Sequence, residues 1–143
     1  MSMKVSFISF QDVVGQLDDY KVEGVGLGNL ETEPSEKLES GALSEASISS
    51  EILSNVFDDG VKIKFGYKFN DVKFIVQLIK HTQVVHIGKG MTWKYYDPNT
   101  EKWSDQDEDA KPITLNCGSF KCTMTPTLGH DDGSINVEIT SSD

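Results

Sequence analysis

VKIKFGYKFNDVKFIVQLIK, residues 61–80, is the stretch on which the fold of this chain turns. From Val61 to Phe69 every second residue is apolar, and a period of two marks a strand with one buried face. Asn70-Asp71 follows, a pair that tolerates turn conformations, and Val72 to Lys80 resumes as a second strand-like run. A two-residue turn there pairs Phe69 with Val72, Tyr67 with Phe74, Phe65 with Val76 and Ile63 with Leu78. One face of the hairpin is then wholly apolar and belongs in a core. The other carries Lys62, Lys64, Lys68 and Lys73, with Ile75 and Ile79 among them. Lys68 and Lys73 fall directly opposite, where like charges destabilise by a few tenths to about 1 kcal/mol.

Further segments of similar character lie to either side: 3–10, 82–88, 91–96, 112–117, 120–126 and 134–140, with turn signals such as GHDDG between them. Short strands at this spacing predict a mainly β fold, an antiparallel sandwich or barrel. YKVEGVGLGNL (20–30) also reads as a strand, with Gly24, Gly26 and Gly28 on one face for close packing. FQDVVGQL (10–17) is either a short helix or a continuation of the first strand. ISSEILSNVFDDG (48–60) places Ile48, Ile52, Leu53, Val56 and Phe57 on one stripe, with Ser49 set to cap and Gly60 to terminate. One packed amphipathic helix is therefore expected over about 49–58. Residues 31–47, rich in Ser and Glu and broken by Pro34 and Gly41, read as a polar loop or insert within a single domain, 1–143.

Charge is unevenly placed along a chain of net charge −10. Residues 1–50 hold nine acids and three lysines (−6), residues 51–96 four acids and seven lysines (+3), and residues 97–143 ten acids and three lysines (−7). All 13 basic residues are lysine. Without arginine, and at this charge, direct nucleic-acid binding is not expected. The most apolar run, Val72–Ile79, contains Lys73 and Gln77, so no membrane span is expected either. MSMKVSFISF lacks the continuous apolar run of a signal peptide, and the expected location is cytoplasmic. Cys117 and Cys122 are read as two thiols, with a bridge across a tight hairpin as the alternative.

The chemistry-bearing stretch is WKYYDPNTEKWSDQDED, residues 93–109. DPNTE is a turn signal, so Trp93, Tyr95 and Tyr96 on one strand return against Trp103 on the next, with Trp103 across from Trp93 or Tyr95. Asp105, Asp107 and Asp109 have the alternate spacing that opens an EF-hand loop, but Ala110 and Asn116 stand where glycine and glutamate are required. A solvated acidic loop is the expectation, with no metal and no cofactor. His81 and His86 differ by an odd number and face opposite ways on one strand, a poor ligand pair. No nucleophile elbow, P-loop or zinc-binding pattern occurs, and no enzymatic activity is expected.

These features point to an acidic protein-interaction module that presents Asp105, Asp107, Glu108 and Asp109 to a basic protein partner, with Trp93 and Trp103 as anchors. An inhibitor, an immunity-type protein or a subunit of an assembly would fit. The alternative is a lectin-like carbohydrate binder using Trp93, Tyr95, Tyr96 and Trp103 as sugar platforms. Homo-oligomerisation through the Lys/Ile face of the 61–80 hairpin is a third possibility.

Overall fold

The computed structural model describes residues 2–24, 30–49, 60–81, 90–106, 111–129 and 132–142. Twelve strands occur among them: β1 (Ser2–Ser9), β2 (Gly15–Glu23), β3 (Leu30–Thr32), β4 (Lys37–Leu38), β5 (Leu43–Ser49), β6 (Val61–Phe69), β7 (Val72–Lys80), β8 (Met91–Asp97), β9 (Lys102–Gln106), β10 (Ile113–Cys117), β11 (Phe120–Leu128) and β12 (Asp132–Ser141). They form two six-stranded sheets, β10-β11-β12-β1-β5-β3 and β4-β2-β6-β7-β8-β9. The fold is a sandwich and not a closed barrel. Every pairing is antiparallel except that of β1 with β12, which run side by side in parallel.

The 61–80 hairpin pairs rung for rung as its alternation dictates, from Val61 opposite Lys80 to Phe69 opposite Val72, with Asn70 in the left-handed region at φ 56°. Its apolar face packs across the sandwich onto Phe7, whose ring lies 5.1 Å from that of Phe65 and 5.4 Å from that of Tyr67. Phe69 meets Phe120 of the opposite sheet at 5.7 Å. On the outer face Gly66 stands beside Ile75, where a Cβ would collide with the Phe74 carbonyl oxygen. Next to it β2 takes in an extra residue between Asp18 and Lys21, with Asp19 at φ 54°. That bulge turns the Asp19 carboxylate onto Lys64, 3.2 Å away.

Residues 31–47 depart from the expected loop. They supply β4 and most of β3 and β5, because Tyr67 ties them down. The Tyr67 hydroxyl donates to the Ser35 carbonyl at 2.6 Å and accepts from the Ser44 hydroxyl at 2.6 Å, and Ser44 Oγ in turn accepts the Ser35 N–H at 2.9 Å. Ser44, Ala46 and Ile48 point inward and Leu38 is fully buried. The alternation exists, but two of its three inward residues are too small to announce a core strand.

No helix occurs among the described residues. Ile48 and Ser49, expected to open one, instead complete β5, and Ile48 is buried. The remainder of the 49–58 expectation, like the strand expected at 82–88 and Gly26 and Gly28 of the glycine face, lies outside the described residues, while Gly24, at φ 89°, follows the end of β2 at Glu23. Residues 10–14 are neither helix nor strand, and β2 begins only at Gly15.

Candidate functional site

Strand alternation splits the aromatic hairpin between two faces. Trp93 is 1% exposed and sits in the core, its ring 5.7 Å from that of Tyr95, which packs partly buried against the same core. Neither indole nor phenol there is a surface platform, which corrects the expectation for Trp93. Tyr96 faces outward. Because the turn closes with Asp97 opposite Lys102, Trp103 pairs with Tyr96 and not with Trp93 or Tyr95. The two outward rings meet edge to face at 5.9 Å. Asp105 is exposed on the same side, opposite Lys94, whereas Asp107, Glu108 and Asp109 lie outside the described residues.

Lysines converge on these outward rings. Lys73 Nζ sits 4.6 Å from the centroid of Tyr96 and Lys94 Nζ 5.0 Å from that of Trp103, in cation–π range. Lys64 and Lys21 are paired with acids of β2, Lys64 with Asp19 and Lys21 with Glu23 at 2.7 Å. The Lys21 hydrogen bond holds the Glu23 carboxyl below its ordinary value. Lys68 and Lys73 form the facing rung that the sequence required, and among the described residues no carboxylate comes within 4.0 Å of either, nor of Lys94. Part of the lysine face is thus neutralised from within, while the part nearest the β6–β7 turn is not.

The second feature is where apolar side chains escape burial. Among the described residues the exposed large hydrophobics are Phe10 (52%), Val14 (37%), Leu43 (64%) and Trp103 (36%). Strand pairing brings all four to one end of the sandwich. Phe10 follows the last residue of β1, and Leu43 pairs with Ile8 near that same strand end. Val14 precedes Gly15, and the next residue, Gln16, pairs with Lys68 beside the β6–β7 turn. Trp103 is one residue past the rung that closes the β8–β9 turn, and that turn reaches the opposite sheet through Asn99 Nδ2, which donates to the Asn116 carbonyl at 2.8 Å. The sequence marked Trp103 but not Phe10, Val14 or Leu43. Phe10 continues the alternation of a strand, and its exposure appears only once β1 ends at Ser9.

Nothing resembling a catalytic constellation is assembled among the described residues. Among the described residues no group of three or more His, Cys, Asp or Glu side chains is placed to hold a metal ion. Cys117 and Cys122 are free and sit on different rungs, opposite Phe120 and Leu115. Burial pushes the Cys122 thiol far above its ordinary range, the wrong direction for a nucleophile. His81 Nε2 lies 2.6 Å from Thr92 Oγ1, while His86 and His130 are outside the described residues. Two open clefts lie on the outer face of the β1-containing sheet. One, of about 390 Å³, presents Lys4 among Glu31, Glu45 and Asp132; the other, about 240 Å³, is lined by Ser6, Thr123, Thr125 and Asn136 and borders Leu43.

No protein-family model matches the chain, and no curated protein matches it in sequence. Among solved structures it is similar to the lipid-binding protein Nakanori, with a TM-score of 0.63 at 6% sequence identity, over 97% of this chain and 70% of that one. At that identity the likeness is one of fold.

Proposed function

We propose that this protein is a non-catalytic binding module that docks on the surface of a lipid bilayer through the end of the sandwich carrying Phe10, Val14, Leu43 and Trp103. One observation carries the proposal: all the exposed large hydrophobics among the described residues gather at that end, on four different segments. Separate apolar tips projecting from turns and strand ends suit a deformable interface better than a flat protein partner. Tyr96, Trp103, Lys73 and Lys94 beside them have the makeup of an interfacial belt, where rings settle at headgroup depth and lysines extend their ammonium groups to water. The fold likeness to a lipid-binding protein is in keeping with this. The contact proposed is peripheral, and no helix among the described residues is long and apolar enough to cross a membrane.

The carbohydrate alternative has less behind it, since Trp93 is buried and each outward ring carries a lysine ammonium group over it. Of the four acids assigned to a basic partner, Asp105 alone is among the described residues.

Co-sedimentation with phosphatidylcholine vesicles tests the proposal. The wild-type chain should pellet with the vesicles, and Trp103 fluorescence should shift to the blue. The Phe10→Ser/Leu43→Ser variant, whose substitutions are at exposed sites, should keep its melting temperature and lose at least tenfold in partitioning. A wild-type chain that stays in the supernatant at millimolar lipid refutes it.

A further inference from the structure

Four partly exposed side chains make a weak anchor. Even a single fatty-acyl chain gives only marginal and reversible membrane binding, with an association constant of about 10⁴ M⁻¹. A second contact at the same end is needed for stable residence. Lys68 and Lys73 supply one. They face each other on the last rung but one before the β6–β7 turn, in an arrangement that repels. In a chain with 23 acids, the described residues offer neither a carboxylate within 4.0 Å. Lys73 is held over Tyr96, and Lys94, the next lysine along the face, over Trp103. Lys64, two residues from Gly66 and farther from the turn, is paired with Asp19. On this face the rung next to the β6–β7 turn thus has no counter-ion within 4.0 Å among the described residues, whereas Lys64 has one.

Resting on the bilayer-docking function proposed above, we infer that the Lys68–Lys73 rung, with Lys94 beside it, binds the phosphate of anionic lipid headgroups. A phosphate that draws the Lys73 ammonium from Tyr96 toward Lys68 accepts hydrogen bonds from both and bridges the rung. Binding should therefore strengthen as anionic lipid is added, despite the net charge of −10. Acids beyond about 8 Å are screened at physiological ionic strength, whereas Asp105, opposite Lys94, offsets part of that lysine's charge and leaves the Lys68–Lys73 rung as the main contact. Asp71, in the turn itself, is the nearest opposing charge by sequence and exposed, and it limits the effect.

The test compares vesicles of phosphatidylcholine alone with vesicles containing 30 mol% phosphatidylserine, at about 0.1 M salt. Each lysine near an anionic surface is worth about fivefold in partitioning (about 1 kcal/mol). The wild-type chain should gain at least tenfold on the anionic vesicles. Lys68→Ser/Lys73→Ser should abolish most of that gain while melting within a few degrees of wild type, because relief of the repulsive rung offsets loss of the Lys73–Tyr96 contact. Asp71→Asn should enlarge the gain. Failure of the wild-type chain to bind either vesicle overturns the docking function itself. Binding to phosphatidylcholine with no anionic gain, or a gain that survives in the double-lysine variant, overturns only the assignment of the rung. Thermal stabilisation by inorganic phosphate without any anionic-lipid gain would assign the rung to free phosphate and likewise overturn it. So would salt-sensitive dimerisation that disappears in the double-lysine variant.

Discussion

Replacing Tyr67 with phenylalanine removes one oxygen from the middle of the molecule and should loosen the whole segment from Ser35 to Ile48. The Tyr67 ring is fully buried, and its hydroxyl closes a loop of three hydrogen bonds with Ser35 and Ser44. Two of those bonds involve the deleted oxygen, and a net value of about 1 kcal/mol each gives about 2 kcal/mol. The Ser44 hydroxyl is buried, and whatever donor or acceptor capacity stays unpaired after the deletion adds to the cost, up to another 1 kcal/mol or so. Ser44 can partly recover by turning its proton onto the Ser35 carbonyl. The expected loss is therefore about 2–3 kcal/mol in urea denaturation, with an unchanged m-value, or roughly 6–12 °C in melting temperature for a chain of this length. A cycle with Ser44→Ala isolates the coupling, which should be about 1 kcal/mol. A Tyr67→Phe loss under about 0.5 kcal/mol, or strict additivity with Ser44→Ala, would refute the claim that this hydroxyl organises the segment. The same variant should weaken vesicle binding, because Leu43 is presented from the strand that Tyr67 holds.

The two tryptophans should behave oppositely: Trp93→Ala is expected to lose about 3–5 kcal/mol as a core truncation, whereas Trp103→Ala should lose the edge-to-face pairing with Tyr96 and the Lys94 contact, about 1–2 kcal/mol together, and parallel denaturation curves check both. Gly66→Ala puts a Cβ against the Phe74 carbonyl and 2.6 Å from the Ile75 Cα, so a loss of at least about 2 kcal/mol is expected by the same assay. Cys122 introduces an alkaline limit. Below the ordinary thiol value of 9.0 both states hold the proton; above it the unfolded chain releases the proton and the folded chain, whose thiol is held higher by burial, does not. Stability should then fall as pH rises from about 9, by up to about 1.4 kcal/mol per pH unit, and Cys122→Ala should flatten that slope whatever its effect at neutral pH.

How far the fold was legible depended on how loudly each strand stated its period. Val61–Lys80 alternates with large side chains, and its register was readable to the residue. Leu43–Ser49 alternates equally well, but with Ser44 and Ala46 as inward residues it has the composition of a loop. Only the Tyr67 hydroxyl and the floor provided by Phe7 make it a core strand. In the aromatic hairpin the residue types were right and the faces were not. One rung of difference in where Asp97 meets Lys102 moves Trp103 from the Trp93 side to the Tyr96 side, since each shift of one residue reverses the face of a strand.

By itself the sequence determined the β class, the 61–80 hairpin with its lysine rung, and the want of any recognisable catalytic motif, because all of these are local: they depend on neighbours no more than nineteen residues apart. Tertiary structure alone decided which apolar side chains stay outside and where they meet. Phe10, Val14, Leu43 and Trp103 are separated by up to 93 positions and share no pattern. They come to one end because β1, β2, β5 and β9 each begin or end there, and burial is a property of the assembled sheets that no single strand encodes.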